Sequence, residues 1–125
     1  MKHEENITSS ESELFKLREA LRRFASDRNW DQFHSPKNLA IALIVEAGEL
    51  LEHFQWLKDA DSLTLPPAIR SRVEEEVADV FLYLVRLADK LDVDLVQVAR
   101  AKLEVNASRY PAEKARGSSK KYTEL

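Results

Sequence analysis

The sequence predicts an all-α protein, an antiparallel four-helix bundle that associates with further copies of itself. Only two glycines and four prolines occur in 125 residues, together with 44% hydrophobic and 33% charged residues. This composition favours long helices over a turn-rich β fold. Apolar residues recur at helical spacing, and neither a strand pattern nor an internal repeat is evident. Short connections between four predicted helices favour a bundle.

The first predicted helix begins at a capping box, Ser10–Glu13. A stripe of apolar residues at helical spacing then continues to about Asp27: Leu14, Leu17, Leu21 and Phe24. The connection that follows, residues 29–36, is rich in aromatic residues. At its end Ser35 supplies an N-cap and Pro36 the first helical position, so a second helix is expected from Pro36 to Leu57.

Three further elements complete the predicted domain. A polar loop at residues 58–64 leads to Pro66 and Pro67, which open a third helix running to about Leu91. Asp94 with Gln97 caps a fourth helix, Leu95–Arg109. Residues 1–110 are therefore expected to form the domain, and residues 111–125 a mobile, basic C-terminal tail. The second and third helices are apolar nearly all round, which predicts self-association.

Composition excludes several classes of protein. A net charge of -3 and a pI near 5.7 argue against a protein that coats nucleic acid or binds a membrane surface. The absence of cysteine excludes a disulfide framework, a zinc–thiolate site and a thiol nucleophile. No signal peptide and no apolar run of about 18 residues are present. We therefore expect a cytoplasmic protein.

Two acidic pairs lie inside the most apolar stretches of the chain. Glu46 and Glu49 belong to the second predicted helix, and Glu76 and Asp79 to the third. Spacing i, i+3 directs both carboxylates of a pair to one helix face, about 4.5 Å apart along the axis. Because burying a carboxylate costs several kcal/mol unless its charge is cancelled, four of them call for a cation.

All-oxygen ligation indicates Mg²⁺, with Mn²⁺ as a substitute. A di-iron bundle would need Glu-x-x-His pairs, and His53 lies four residues after Glu49 instead. Gly48, between the first two acids, suits the close approach of another backbone or of a ligand. Glu52 continues the same stripe as a third acid, either ligand, base or exposed residue.

These motifs resemble a known family. Glu46-Ala-Gly-Glu49, followed by Glu75-Glu-Val-Ala-Asp79, is similar to the Glu-x-x-Glu…Glu-x-x-Asp signature of MazG-like nucleoside triphosphate pyrophosphohydrolases. Three more segments resemble the dCTP pyrophosphatase branch: Arg28–Leu39, Phe54–Trp56 and Arg109–Leu125. The likeness covers the chain from about Leu14 to its C-terminus.

The resemblance implies magnesium-dependent hydrolysis of a (deoxy)nucleoside triphosphate to the monophosphate and pyrophosphate, in a homotetramer. It implies Glu46, Glu49, Glu76 and Asp79 as metal ligands. Substrate contacts are implied for the aromatic connection and for two later aromatic residues: Trp30, Asp31, Gln32, Phe33, His34, Asn38, Trp56 and Tyr83. A substrate-contacting histidine of the family falls at Leu21 here, which leaves the base preference open.

Individual residues suggest the chemistry of each part. Trp30, Phe33 and Trp56 could form an aromatic slot for a base, although tryptophan more often belongs to a core. On the fourth helix, one polar stripe is either a phosphate clamp or a solvated face: Lys102, Asn106 and Arg109. No side-chain nucleophile is required, because a water oriented by a carboxylate can attack phosphorus; Glu49 and Glu52 are the candidate bases.

Two other interpretations stay open at this stage. The acids could form a structural metal site, or bind a basic partner, in a non-catalytic helical interaction module. Alternatively, the same fold could act as a diphosphatase on a deoxynucleotide. The favoured prediction is a pyrophosphohydrolase for dCTP or a related pyrimidine nucleotide, acting in nucleotide-pool sanitation.

Overall fold

The structure is a computed structural model that describes the backbone of residues 2–125 and the side chains of residues 13–125. Its α-helices are α1 (Lys2–Asp27), α2 (Pro36–Glu52), α3 (Asp59–Ser62), α4 (Pro67–Lys90), α5 (Leu95–Arg109) and α6 (Ala112–Ala115). Two 3₁₀ turns lie at Asp31–Phe33 and Tyr122–Glu124. Residues 2–125 contain no strand, so the all-α prediction is confirmed.

Several predicted helix boundaries agree with the structure. The Ser35 hydroxyl accepts a hydrogen bond from the Asn38 backbone N–H at 3.1 Å, which caps α2. The Asp94 carboxylate accepts one from the Gln97 backbone N–H at 3.1 Å and caps α5. Helix α4 begins at Pro67, directly after Pro66. Helix α1 begins at Lys2 rather than near Ser10, and the side chain of Ser10 lies outside the described residues.

The second helix is shorter than predicted. It ends at Glu52 and not at Leu57. The backbone N–H groups of His53 and Phe54 donate to Leu50 and Leu51, three residues earlier. These i→i−3 hydrogen bonds tighten the last turn, and the chain continues in turns rather than in an α-helix. The apolar residues beyond Glu52 had suggested a continuing helix, but they belong to this turn segment.

The predicted loop and tail also contain local structure. Helix α3 lies within the segment predicted as a polar loop, where the Ser62 hydroxyl donates to the Asp59 carbonyl at 2.6 Å. In the tail, α6 and the second 3₁₀ turn follow Pro111. The Tyr122 ring packs edge-on against Tyr110, with centroids 6.0 Å apart. The tail therefore folds back onto the end of α5.

The chain divides into two compact units, Met1–Asp92 and Val93–Leu125. In the first unit α2 packs along α4, and α1 also packs against α4. The buried apolar residues of this unit come from all three helices: Ala25, Leu39, Val85 and Ala88. The packing of α2 on α4 positions the two acidic pairs. None of the helices in the described part of the chain is long and apolar enough to cross a membrane.

Candidate active site

Three of the four predicted metal ligands meet between two packed helices. Glu46 and Glu49 lie on α2, one turn apart, and Glu76 lies on α4. Each offers a carboxylate oxygen, and these oxygens all lie within 4.8 Å of one another. Spacing of i, i+3 directs the α2 pair to the face that packs on α4. The sequence prediction that acids from two helices converge is borne out for these three residues.

The concentration of negative charge perturbs the protonation of Glu46. The pKa of Glu46 is raised to about 7, first by burial and then by hydrogen bonding to Glu76 and by the charges of Glu49 and Asp79. A carboxyl group that is partly protonated at neutral pH indicates a site with too much negative charge for the protein alone to accommodate. A divalent cation would remove this repulsion.

Glu76 is half-buried and has one oxygen without a partner in the described part of the chain. Its Oε2 atom is buried and has no hydrogen-bond partner among the described residues. Its Oε1 atom lies 3.9 Å from Nε2 of His53. An unpartnered buried carboxylate oxygen costs free energy unless a ligand satisfies it. Hard carboxylate oxygens converging on one point therefore fit Mg²⁺ or Mn²⁺.

The other two predicted acids, Asp79 and Glu52, lie outside this group of three. Asp79 is exposed on α4 and does not belong to the group, although its charge acts on Glu46. Glu52 is exposed at the last position of α2. Tyr83 is half-buried on α4. His53 was not predicted to take part, and its position one turn after Glu49 was the available signal.

The predicted aromatic residues are exposed but do not form one stack. The Trp30 ring packs edge-on against Phe24, with centroids 5.7 Å apart. Phe33 is 59% exposed and Trp56 is 88% exposed. Among the side chains of residues 13–125, no ring contact joins Trp30, Phe33 and Trp56. Large aromatic surfaces facing solvent remain free to contact a planar ligand.

Two polar side chains stabilise the backbone of residues 29–36, which we call the aromatic segment. The Gln32 side-chain amide donates to the Asn29 carbonyl at 2.9 Å. The Asn38 side-chain amide donates to the Phe33 carbonyl at 3.0 Å. Asn29 itself adopts a left-handed backbone with a φ of 54°, a conformation that asparagine tolerates. Gln32 and Asn38, both predicted to contact substrate, thus have a structural use in shaping the turn.

Asp31 and His34 are joined to a buried arginine that the sequence analysis did not identify. Arg86 is 5% exposed on α4. Its guanidinium binds the Asp31 carboxylate, and its Nε donates to Nδ1 of His34 at 3.2 Å. The Lys90 ammonium also donates to Asp31, at 2.6 Å. These contacts lower the pKa of Asp31, with the Lys90 hydrogen bond the largest cause. A charge embedded in the apolar run 84–88 was the signal for Arg86.

Comparison with known proteins decides the family. The MazG-like family matches residues 41–125 of this chain. The chain belongs to the MazG-like family. Human dCTP pyrophosphatase 1 is 45% identical over 119 residues, which cover 94% of this chain and 70% of the human protein. The mouse protein of the same name is 44% identical over the same lengths.

A solved structure agrees with this assignment. A pyrophosphatase from Archaeoglobus fulgidus superposes with a TM-score of 0.69 at 37% sequence identity, covering 79% of this chain and 93% of the archaeal one. The resemblance drawn from the acidic motifs is confirmed. This MazG-like protein is an enzyme, a pyrophosphohydrolase, as its family and relatives show.

The polar stripe on α5 lies in the second unit of the MazG-like chain. Lys102 and Arg109 are exposed, and Asn106 is half-buried. The Arg109 guanidinium lies over the Tyr122 ring, 5.0 Å from its centroid. Arg109 is therefore engaged by the C-terminal tail. Its role as a phosphate ligand, with Lys102 and Asn106, stays a prediction.

Proposed function

We propose that this protein hydrolyses dCTP, or a related pyrimidine deoxynucleoside triphosphate, to the monophosphate and pyrophosphate with Mg²⁺ as cofactor. The main support is that carboxylate oxygens of Glu46, Glu49 and Glu76 lie close together, and that one buried Glu76 oxygen has no hydrogen-bond partner among the described residues. The names of the human and mouse relatives support the choice of dCTP. Removal of a surplus nucleotide from the pool is the corresponding cellular role.

Three glutamates and Asp79 would hold the metal ion, and Mn²⁺ offers the same preference for oxygen ligands. When bound, the ion would neutralise charge on the triphosphate and stabilise the charge that develops on departing pyrophosphate. A free triphosphate carries about four negative charges, so carboxylates alone would repel it. The acids and the substrate are therefore compatible only through a cation.

The protein itself supplies proton transfer and substrate orientation. Glu49 or Glu52 would accept the proton of the attacking water, since Glu49 belongs to the acidic group and Glu52 follows it by three residues on α2. The exposed rings of Trp30, Phe33 and Trp56 offer apolar faces for a nucleobase. Tyr83, four residues after Asp79, would contact the sugar or orient that acid.

A homotetramer is the proposed assembly, in keeping with the exposed apolar surface of the first unit. Ile44 and Leu51 on α2 are 68% and 58% exposed, and Val77 on α4 is 50% exposed. An apolar groove of about 380 Å³ also runs along α4 between Val73 and Phe81. Surfaces of this kind mark protein interfaces. The cytoplasmic location expected from the sequence stays a prediction.

Pyrophosphate release from a panel of nucleoside triphosphates, with Mg²⁺ and with chelator, tests the proposal. We expect turnover of dCTP in the presence of Mg²⁺ and none in the presence of chelator. Glu76→Gln should abolish it, whereas Glu75→Gln, which alters the adjacent exposed acid, should leave it unchanged. Detection of pyrophosphate rather than successive orthophosphates distinguishes a pyrophosphohydrolase from a diphosphatase.

Asp79→Asn separates this enzyme from a non-catalytic metal-binding module. The enzyme should lose activity and keep its fold. In a purely structural metal site, the melting temperature should fall in proportion to lost metal binding. A folded protein that turns over no triphosphate in Mg²⁺ or Mn²⁺ would refute the proposed function.

A further inference from the structure

Arg86 connects the aromatic segment to α4 through a buried guanidinium. Its side chain is 6% exposed and contacts Asp31, His34 and Asp89. Asp89, also 6% exposed, holds it from the other side, with the Arg86 Nη1 atom 3.6 Å from Oδ2. Asp89 in turn accepts a 2.7 Å hydrogen bond from Arg22 of α1. Arg86 is therefore fixed on both sides by charged partners.

The hydrogen bond to His34 has only one possible direction. An arginine guanidinium has donors and no acceptor, and it does not lose its proton in a protein. The Nδ1 atom of His34 must therefore accept the hydrogen bond from Arg86 Nε and carries no proton. A neutral imidazole with a bare Nδ1 keeps its single proton on Nε2.

The charges around His34 favour this neutral form. Partial burial and the positive charges of Arg86 and Lys90 lower the pKa of His34, and the nearby Asp31 carboxylate only partly opposes them. All of these groups come from α4 or from the segment of His34 itself. Among the described side chains, Arg86 is the one hydrogen-bond partner of His34. The Nε2–H group is thus left to donate to a ligand.

On the basis of the proposed function, we propose that Arg86 is a positioning residue that holds His34 as the Nε2–H tautomer, so that His34 presents only a hydrogen-bond donor to the nucleobase. His34 directly follows Phe33, whose exposed ring is a candidate base platform. A donor at this position suits a base that offers acceptors, such as N3 or O2 of cytosine. It would meet the N3–H donor of uracil unfavourably.

Arg86 fixes the position of the segment as well as the proton. It binds both Asp31 and His34, the two ends of the 3₁₀ turn that carries Gln32 and Phe33. A lysine could reach one of these partners but could not reproduce the planar fork that binds both. Substitution by lysine should therefore free the tautomer of His34 without removing the positive charge.

Nitrogen-15 NMR of the histidine side chains tests the tautomer directly, independently of turnover. The chain has three histidines, and His34→Gln identifies the signal of interest. We expect His34 in the wild type to show an unprotonated Nδ1 and a protonated Nε2, and Arg86→Lys to show a mixture of tautomers. A proton on Nδ1 of the wild-type residue would overturn the inference.

Addition of α,β-methylene dCTP with Mg²⁺ tests whether this donor meets a base. The Nε2 signal of His34 should shift on binding, and the corresponding uracil analogue should shift it less. Saturating nucleotide that leaves this signal unmoved would also overturn the inference. This result would be distinct from a failure of the proposed function, which requires the absence of turnover.

Kinetics of two His34 variants provide the matched comparison. Gln places its amide N–H near the position of Nε2, whereas Asn places it near that of Nδ1. His34→Gln should therefore raise the KM for dCTP less than about threefold, and His34→Asn about tenfold, the effect of one lost hydrogen bond, with kcat nearly unchanged. Arg86→Lys should resemble His34→Asn, and Arg72→Lys, an exposed arginine of α4, should have no effect. Equal KM values for the two His34 variants would contradict the donor role.

Discussion

The carboxyl groups of Glu46 on α2 and Glu76 on α4 face each other, with an oxygen of each within 4.8 Å of the other. Two carboxylates this close repel each other, and a shared proton or a cation relieves the repulsion. Because the pKa of Glu46 is raised to about 7, the shared proton is present in much of the metal-free protein at neutral pH. A proton and the proposed metal ion would therefore compete for one position, and this competition can be measured.

Binding of Mg²⁺ should release a proton near pH 7. Metal ligation requires the ionised carboxylate, so uptake of the ion displaces the proton from Glu46. Titration calorimetry in two buffers with different ionisation enthalpies should give about half a proton released per site at pH 7, and almost none at pH 9. In Glu46→Gln no release should remain. Equal heats in the two buffers at pH 7 would contradict the shared-proton state.

Glu46→Gln should stabilise the metal-free protein at high pH. A group whose folded pKa is raised contributes stability that is present below its unfolded pKa, near 4.5, and is lost as pH rises through about 7. The variant imitates the protonated form and escapes this loss. Its free energy of unfolding should equal that of the wild type near pH 4 and exceed it by roughly 1–3 kcal/mol at pH 8.

Chemical denaturation in the presence of chelator measures this difference. Added Mg²⁺ should reverse the order, because only the wild type keeps the full set of ligands. Glu75→Gln, an exposed acid on the same helix as Glu76, serves as the control and should follow the wild type at every pH. A variant no more stable than the wild type at pH 8 would mean that Glu46 is not repelled in the folded state.

The sequence predicted those helix starts that depend on residues close together in the chain. Ser35 and Asp94 accept backbone hydrogen bonds at the two helix starts where they were expected. The acidic pairs could be predicted because a carboxylate within an apolar stretch is costly at any position in the chain. The end of α2 could not be predicted, because apolar side chains continue past Glu52. The change from i→i−4 to i→i−3 hydrogen bonds at this point has no signal in the sequence.

Contacts between residues far apart in the sequence could not be predicted either. Arg86 and His34 are separated by 52 positions in the sequence, so no spacing rule relates them. The charge of Arg86 within an apolar run was the same kind of signal as that of Glu46, but no motif indicated its partners Asp31 and His34. Arg22 and Asp89, 67 positions apart, illustrate the same limit. Pairing of this kind depends on how α1 and the aromatic segment pack on α4.

Asp89→Asn should destabilise the first unit by about 2–4 kcal/mol. The substitution removes a buried charge that accepts hydrogen bonds from Arg22 and faces Arg86. Hydrogen bonding to Arg22 is the largest cause that lowers the pKa of Asp89 below 3.8. A lowered pKa contributes stability that is present above 3.8 and lost as pH falls through the folded value.

Urea denaturation at pH 7 and at pH 2 checks this prediction. The wild type and Asp89→Asn should differ at pH 7, and the difference should shrink as the pH falls toward the folded pKa of Asp89, which lies below 3.8. Asp61→Asn, an exposed aspartate of α3, is the control and should cost less than about 0.5 kcal/mol. A difference between wild type and Asp89→Asn that persists unchanged in acid would exclude charge as its cause.

Ile44→Glu should dissociate the proposed tetramer without unfolding the chain. Ile44 is 68% exposed, so a charge at this position costs little in the isolated chain but would be buried in the proposed apolar interface. Leu39→Ala is the opposite case, because Leu39 is 1% exposed and its truncation should cost about 2–5 kcal/mol. Light scattering and circular dichroism measure the two effects separately. A helical Ile44→Glu protein that keeps the wild-type mass would exclude this surface from the interface.

Glu52→Gln should lower kcat by about 100-fold and leave Mg²⁺ affinity unchanged. Glu49 belongs to the converging group of acids and is a proposed metal ligand, whereas Glu52 lies outside that group on the same helix. Glu49→Gln should therefore weaken metal binding and activity together. Calorimetry for Mg²⁺ and single-turnover kinetics with dCTP distinguish the two variants, with Glu75→Gln as the exposed control. If Glu52→Gln retains kcat within twofold of the wild type, proton removal falls to Glu49, which would then serve both as ligand and as base.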